Sequence, residues 1–590
     1  VLLSLLIACC AQDGGAPDSA PAGALDDALP RHPQEVARDV DACERAAEGA
    51  RRGFRVGLLK GLAQGDWERV TRAFEPDARG RLPRADQGRR VSAAGLELAF
   101  FEAGDLGALE RADLVAALRS HFEDWDEVRR ATIEIDAFEL AEDRSGALAS
   151  LHLTVAGSLP DGGRGVLEAD LSCELVAHST TRWTIARVLW VAGHSGWGGV
   201  PTFADVSGPT GFHFNLSEAN RALTRELVNE RALNAAGGVS VMDWNRDGLP
   251  DLFLTRHRQA SLLLLNDGRG GFERGEVPFE LPDDSPASVA FVDLDGDGLE
   301  ELVSGRVRPI ATDRARADLW TRVDGTWTAV EGALEFAVGR GVRDLDVQSI
   351  VPADFDGDGR LDLFFCVLSD SRTEREAPDT FAAFDGGDNL LFINRGGLAF
   401  DEQSDERGIV GRQLTRSALA LDVDGDGDQD LIEGNDRGPD LLHENLGNGH
   451  FEAHLDHPLS RVLSNTTGIT LEAGAAPGSW DLYLAGTHSS AAGRIVPALV
   501  GLPAAVRAAA LGAGSGGRLL TVSADGSWSV GAHSAALARA GRSWAPLFFD
   551  LDNDGTRELL VQNGGTTHSA RRAPDWDTYH WRQVVMDALA

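Results

Sequence analysis

Lysine is almost absent from this sequence: Lys60 is the only one in 590 residues, and arginine carries nearly all the positive charge. We read that bias as genomic base composition, without functional content. Positive charge of either kind is short. Against 92 Asp and Glu stand 55 Lys and Arg, a formal net charge of -37. Such a field repels nucleic acid and anionic lipid headgroups, which argues against both as direct partners. Cysteine is scarce too, with Cys9, Cys10, Cys43, Cys173 and Cys366 and no CxxC pair, so a cysteine zinc site is not expected. Cys43 and Cys173 either pair, in an oxidising compartment, or remain separate buried thiols. Cys366 sits in the apolar run Leu363–Val367 and reads as core. Beyond the first residues no apolar run reaches the roughly 18 residues a membrane span needs. Hydrophobic content of 43% and charged content of 25% are ordinary for a globular chain, and the length suggests about two to four domains.

The first residues are apolar, and Leu6-Ile7-Ala8-Cys9 resembles a bacterial lipobox. That resemblance implies a signal segment over 1–9, lipidation of Cys9 and membrane attachment through a lipid anchor alone. An ordinary secretory peptide is the alternative. Position 10 is not Asp, so the usual inner-membrane retention signal is missing. Residues 10–34, rich in Ala, Gly, Pro and Asp, read as a flexible tether. From Glu35 to Gly65, apolar residues Val36, Val40, Cys43, Ala47, Phe54, Leu58 and Leu62 recur at helical spacing. Asp66 is placed to cap a short helix Trp67–Phe74, and a further helix is expected over Ala112–Arg130. Then the period changes to two, first in Thr132–Phe138 and later in Leu148–Ala156, Val166–Val176 and Trp183–Val191. Helices followed by a strand meander make an α+β domain over 35–197. Leu59 to Trp67 and the late strand Trp183-Thr184-Ile185 resemble the nuclear-transport-factor-2-like (NTF2-like) cone fold. The resemblance implies a pocket, which hosts catalysis in some members and only interfaces in others. His152 and Glu168 lie on its strands and read as polar surface groups. No active site is assigned there.

From Pro201 onward internal repetition dominates. One acidic pattern recurs five times: Asp243, Asn245, Asp247 and Asp251; Asp293, Asp295, Asp297 and Glu301; Asp354, Asp356, Asp358 and Asp362; Asp422, Asp424, Asp426 and Asp430; and Asp550, Asp552, Asp554 and Glu558. Each has a Gly after the third ligand position: Gly248, Gly298, Gly359, Gly427 and Gly555. Oxygen side chains at alternate positions converge only if the chain curls, and Gly permits the positive φ that the curl needs. Hard oxygen ligands in such number suit Ca²⁺, which takes about six to eight. About five Ca²⁺ sites are therefore expected. An EF-hand does not fit. It needs Glu at the twelfth position between two helices, whereas Leu254, Ser304 and Phe365 stand there and strands flank the loops; Glu433 is a chance match.

A second element follows the loops. Asn266 to Phe272, Asn394 to Phe400 and Asn445 to Phe451 read as hairpin turns ending in an aromatic that packs between sheets. Asp324 to Trp327 and Asp525 to Trp528 are variants. Two decayed copies, at 472–481 and 512–520, bring the count to seven units, five of them metal-competent. Seven such units fit a chain that is mainly β: a seven-bladed β-propeller over 201–590, preceded by the smaller α+β domain. This region resembles the FG-GAP/VCBS repeat family, close to the integrin α-subunit propeller and most like the CRTAC/ASPIC-UnbV group. Pro201 to Phe212 resembles that group's opening motif, and Phe549 to Gly564 its closing one. No tail domain of that group is recognised, so a role specific to the tail is not expected. The resemblance implies that the Asp, Asn and Glu positions above carry calcium, and that the protein is an exported surface lipoprotein of the bacterial envelope binding an extracellular protein or glycan. Two other readings stay open. One is a polysaccharide-acting, lyase-like enzyme, for which His568, Tyr579, His580 and Arg582 are the best-placed residues, although no catalytic constellation is found. The other is ligand binding in the cone pocket.

Overall fold

The computed structural model describes residues 33–93, 96–102, 104, 106–198, 207, 210–211, 238–256, 259–277, 288–311, 313–338, 345–370, 386–409, 411–461, 463–498, 504–531, 534–541, 543–550, 555 and 557–563. Cys9, nearly all of the tether, most of the opening motif and the segment from His568 to Arg582 lie outside them. The chain is mainly β and divides into two compact units.

In the N-terminal unit the helical pattern becomes α1 (Pro33–Phe54), one π turn (Arg55–Leu59) and α2 (Lys60–Gln64), closed by Gly65 at φ 63°. Asp66 then caps α3 (Trp67–Thr71), its Oδ1 accepting from Arg69 N at 3.0 Å. This helix stops before Phe74, which instead opens β1 (Phe74–Arg81). After β2 (Arg89–Ala93), β3 (Leu96–Glu102) and β4 (Leu109–Glu110) comes α4 (Arg111–Ser120). It too is shorter than its periodicity suggests. The Ser120 hydroxyl donates back to Ala117 O at 2.7 Å, and the chain turns out of the helix. Phe122 and Trp125 pack edge to face in that turn. The meander follows as β5 (Glu127–Leu140), β6 (Gly146–Ser158), β7 (Arg164–Ala177) and β8 (Trp183–Gly198). Sheet order is β2-β3-β8-β7-β6-β5, with β1 parallel to β8. On β6, Ala149, Leu151, Leu153 and Val155 are buried in the core, and His152 lies on the other face. This is the α+β domain that the change of period announces.

Residues 489–507 belong to this same unit, although the repeat pattern assigns them to the propeller. Helix α5 (Ser490–Ile495) buries Ile495 and sends Arg494 to Glu44 of α1 at 3.0 Å. Arg494 also donates to Ile135 O of β5 at 2.5 Å. The approach is close: a Cβ on Gly493 would stand 2.2 Å from Asp136 O. Cys43 points to Phe138 O at 3.2 Å, and Cys43 and Cys173 are separate free thiols. Burial pushes the Cys43 thiol up to about 11 and raises that of Cys173 as well.

The repeat unit is built from successive antiparallel sheets. Its first strands are Val239–Met242, Val289–Val292, Leu345–Ala353, Thr415–Leu421, Gly468–Ala473 and Ser543–Phe549. Each pairs with the strand after its loop, and in all but the fifth the last acidic residue of the motif starts that second strand. Met242 pairs with Asp251, Val292 with Glu301, Ala353 with Asp362, Leu421 with Asp430 and Phe549 with Glu558. The loops therefore hang from identical register positions. Between sheets, the residue after the first loop acid shares a core with the aromatic of the following sheet. Trp244 meets Trp327 at 5.3 Å and Phe355 meets Phe451 at 5.7 Å. Leu294 clusters with Phe400, and Val423 with Trp528. The expected inter-sheet role holds for these four aromatics, whereas Phe272 clusters with Leu252, Leu254, Leu262 and Leu264 of its own sheet.

The count of units needs correction. Arg518–Val522 pairs with Trp480–Leu484 as the third strand of the fifth sheet, so 512–520 does not open a unit of its own. Among the described residues six loop-bearing sheet units follow one another, the second and third hydrogen-bonded into one continuous sheet through Arg306–Val307 and Leu345–Asp346, and no seventh is seen among them.

Candidate metal centres

The four described complete loops share one scaffold. The first acid accepts two amide protons: Asp243 from Asp247 N and Gly248 N, Asp293 from Gly296 N and Gly298 N, Asp354 from Asp358 N and Gly359 N, Asp422 from Gly425 N and Gly427 N. The Gly after the third ligand position is left-handed in all five copies, from φ 83° at Gly248 to 101° at Gly427. A second left-handed position went unread in the sequence. Gly296, Gly357 and Gly425 occupy it, but loop one carries Arg246 there at φ 63°.

The closing acid is the most buried member. Asp251, Glu301 and Asp362 are 0% exposed and Asp430 is 1% exposed. Each accepts an amide proton from the second loop residue, as Phe355 N does to Asp362 at 3.0 Å and Val423 N to Asp430 at 2.8 Å. The other oxygen takes a bond from the end of the third strand: Asn266 N, Asn394 N and Asn445 N to Asp251, Asp362 and Asp430, and the Thr321 hydroxyl to Glu301. Burial pushes Asp362 and Asp430 up to about 6 against those stabilising bonds, with neighbouring carboxylates adding to the rise, and it raises Glu301. These are carboxylates short of positive charge.

Three groups of acids converge within 4.8 Å: Asp293, Asp295 and Asp297; Asp354, Asp356 and Asp362; Asp422, Asp424 and Asp430. Such a set of hard oxygens, at this spacing, is placed to hold a divalent cation. The fit has direct support in loop three. The Oδ1 of Asp356 is buried without a hydrogen-bond partner, a vacancy that costs free energy unless a cation or water fills it. Asp358 stands outside that group and pairs with Arg360. Beside Asp426, Asp428 is pushed up to about 7 by burial and by its hydrogen bond to that neighbour, and its Oδ1 is likewise unpartnered. Loop one does not gather Asp243, Asp247 and Asp251 in this way, and Asn245 bonds to Asp247 instead. In loop five, Asp550 accepts from Gly555 N at 3.1 Å and Glu558 begins the next strand; Asp552 and Asp554 lie outside the described residues.

The fifth sheet shows what a decayed copy looks like. Its loop runs from Gly474 to Ser479 between Ala473 and Trp480, two residues shorter than the others. Asp481 lies within the second strand, bonded to the Thr521 hydroxyl at 2.6 Å. Glu433, the chance EF-hand match, is buried in a strand beside Asn389 and His443 and does not join loop four. In the N-terminal unit, His152 pairs with Asp170 at 2.7 Å, and Glu168 sits on the same strand as that Asp.

One set of residues carries a role the sequence reading missed. Asn394 and Asn445 are almost fully buried and donate backwards to the preceding loop: Asn394 Nδ2 to Leu294 O at 2.9 Å and Asn445 Nδ2 to Phe355 O at 2.8 Å. At the first junction Arg322 takes this place, donating to Trp244 O at 2.8 Å with its guanidinium over Trp327. Each stitch joins one metal loop to the next sheet.

Residues 243–304, which span loops one and two, match the family of FG-GAP-like repeats. No curated protein matches the chain significantly. Among solved structures, a conserved protein from Planctomyces limnophilus DSM 3776 is 15% identical over 28% of this chain and 98% of its own, with a TM-score of 0.17. LinA is 12% identical over 31% of this chain and 99% of its own, TM-score 0.19. A B. megaterium levansucrase mutant is 9% identical over 55% of this chain and 84% of its own, TM-score 0.20. Likenesses this low carry no inference about this chain.

Proposed function

We propose that the repeat unit is a calcium-loaded β-propeller of at least six blades that serves as a binding module on an exported protein. The observation that carries the reading is the recurrence of convergent acids at one register position of successive sheets, three of them gathered within 4.8 Å. Asp293, Asp295, Asp297, Asp354, Asp356, Asp362, Asp422, Asp424 and Asp430 would hold the ions, with loop one as a weaker site and loop five, through Asp550, Asp552, Asp554 and Glu558, as a further one. Bound calcium offsets the crowding of like charges in each loop. Extracellular calcium modules bind at roughly 10⁻⁴–10⁻³ M, which suits an exported protein. The partner is an extracellular protein or glycan, in keeping with the strongly acidic surface, and no catalysis is proposed. The N-terminal α+β unit is an NTF2-like cone, and a lipid on Cys9 would hold the protein at the bacterial envelope. No described helix is long and apolar enough to cross a membrane.

The test compares thermal unfolding and bound-metal content of the full chain in excess Ca²⁺ and in chelator. At tenfold the dissociation constant, each site stabilises by about 1.4 kcal/mol, so three sites raise the melting temperature well outside error. Mg²⁺ at the same concentration should do much less. A chain that copurifies without calcium and melts identically in both buffers would show the loops to be metal-free acidic turns.

A further inference from the structure

The N-terminal unit carries a positive strip on a chain whose formal net charge is -37. Between positions 79 and 90 stand five arginines, Arg79, Arg81, Arg84, Arg89 and Arg90, against a single acid, Asp86. All five are exposed, and among the described residues none of them makes an ion pair. The last two lie on β2, which ends the sheet order β2-β3-β8-β7-β6-β5, so one side of its backbone has no partner strand among the described residues. Arg89 stands opposite Phe100 of β3, and its guanidinium lies over that ring at 5.4 Å. Arg90 stands opposite the buried Ala99, and its guanidinium lies over the ring of Trp197 on β8, also at 5.4 Å. Successive residues of a strand point to opposite faces, so one stacked cation flanks the edge on each face. Glu97 of β3 does not neutralise either of them; it accepts from the Ser92 hydroxyl at 2.5 Å.

Stacking on an aromatic face holds a guanidinium in place and leaves the N–H donors at its edge free, where one carboxylate can take two of them. The open side of β2 adds backbone donors and acceptors with which an extended segment can pair. At physiological ionic strength fields fade over about 8 Å, so a ligand lying along this edge feels the arginines more than the acidic remainder of the chain. We propose that β2 is a docking edge for an extended acidic peptide segment, which adds as a further strand and sets two successive Asp or Glu side chains against Arg89 and Arg90. Charge on an edge strand also deters pairing between like strands. That excludes a second copy of β2 as the occupant and selects a strand of opposite charge. Recognition here does not depend on the calcium loops.

The experiment uses the full chain and a fluorescein-labelled peptide, Thr-Val-Glu-Glu-Val-Thr, read by fluorescence polarisation. The peptide should bind, its counterpart with Lys in place of Glu should not, and Arg89→Gln combined with Arg90→Gln should weaken binding at least about tenfold. The same peptide N-methylated along its backbone keeps both charges but cannot complete a ladder, and it should lose as much affinity. Independently of any variant, bound peptide should slow hydrogen exchange in β2 of the wild-type chain. A heparin oligosaccharide serves as a polyanion without a peptide backbone. Absence of peptide binding, equal binding of the N-methylated form, an affinity indifferent to the double substitution, or unchanged exchange in β2 would each overturn the assignment. So would heparin binding where the peptide does not, which would give the strip to an anionic glycan.

Discussion

Asn445 offers the sharpest test of how the repeat unit is held together. Its Nδ2 donates to Phe355 O of the preceding loop at 2.8 Å and to Gln429 O of its own loop at 3.1 Å. Its Oδ1 accepts from Gly447 N at 3.2 Å and Gly449 N at 3.0 Å. Asn445→Ala removes all four bonds at a site closed to solvent. A net contribution of about 0.5–1.5 kcal/mol per bond, discounted for partners near the surface that water can reach, gives a loss of about 3 kcal/mol. Asn445→Asp should cost at least as much, since a carboxylate cannot donate and would face two carbonyl oxygens. The control is Asn266→Ala. Asn266 keeps the bond to its own loop, to Pro250 O at 3.1 Å, and accepts from Gly268 N at 3.0 Å. With half the bonds and a partly exposed setting, it should cost about 1 kcal/mol. Urea unfolding in saturating calcium, followed by tryptophan fluorescence, measures both. Native-state hydrogen exchange at Gly449 should accelerate in Asn445→Ala and not in Asn266→Ala, because only the first removes the oxygen that accepts from Gly449 N. If Asn445→Ala and Asn266→Ala cost the same, the backward bond contributes nothing, and the stitch between loop and next sheet is not a source of stability.

The buried pair of Arg494 with Glu44 gives a second prediction: Arg494→Ala should lower the stability of the N-terminal unit by about 3–5 kcal/mol by stranding Glu44, while Arg494→Met with Glu44→Leu should restore most of it, as read by chemical denaturation. A third concerns acid. Burial, with His454 and Arg461 nearby, pushes His457 down to about 4, whereas the unfolded residue titrates near about 6.5; the unfolded chain thus binds the extra proton, and stability falls as pH drops from about 6.5 towards 4. His457→Gln should flatten that slope relative to wild type between about pH 6.5 and 5, and an unchanged slope in thermal melts would show that His457 titrates freely in the fold.

The metal loops were legible because everything that defines them is local. Nine residues carry the oxygens, the left-handed Gly and the turn into a strand, so spacing alone reveals them. The stitches were not legible for the opposite reason. Asn445 reaches a carbonyl 90 residues earlier and Asn394 one 100 residues earlier, and in isolation each reads as an ordinary turn residue. Arg322 disguises the same role behind a different side chain. The miscount of units has its own physical cause. Between the second and third strands of the fifth sheet the chain makes a helical excursion through Ser490–Ile495 and Ala504–Ala513. That excursion stretches one unit to nearly the length of two, and Gly-rich spacing near 512 then imitates a loop.

The fifth sheet bears directly on what calcium does here. Its loop has lost two residues and its oxygens, yet Gly468–Ala473 still pairs in unbroken register with Trp480–Ala485. Leu482, Leu484 and Val522 are as buried as their counterparts in the metal-competent sheets. Strand pairing and inter-sheet packing therefore suffice to form a blade. In the other sheets the closing acid belongs to both systems at once, because it opens the second strand, accepts two protein hydrogen bonds and, in loops three and four, joins the convergent group. Asp356 sits in the loop and makes one contact beyond it, to Arg407 at 3.4 Å, so the control for its loss is Arg407→Met, which removes that pair and spares the convergent acids. Asp356→Ala should then abolish much of the calcium-dependent gain at its site and cost the metal-free fold no more than Arg407→Met does, whereas loss of Asp362 would be felt more strongly with or without the ion. On this reading calcium adds to sheets that form without it, and the repeat unit weakens by degrees in low calcium instead of unfolding at once.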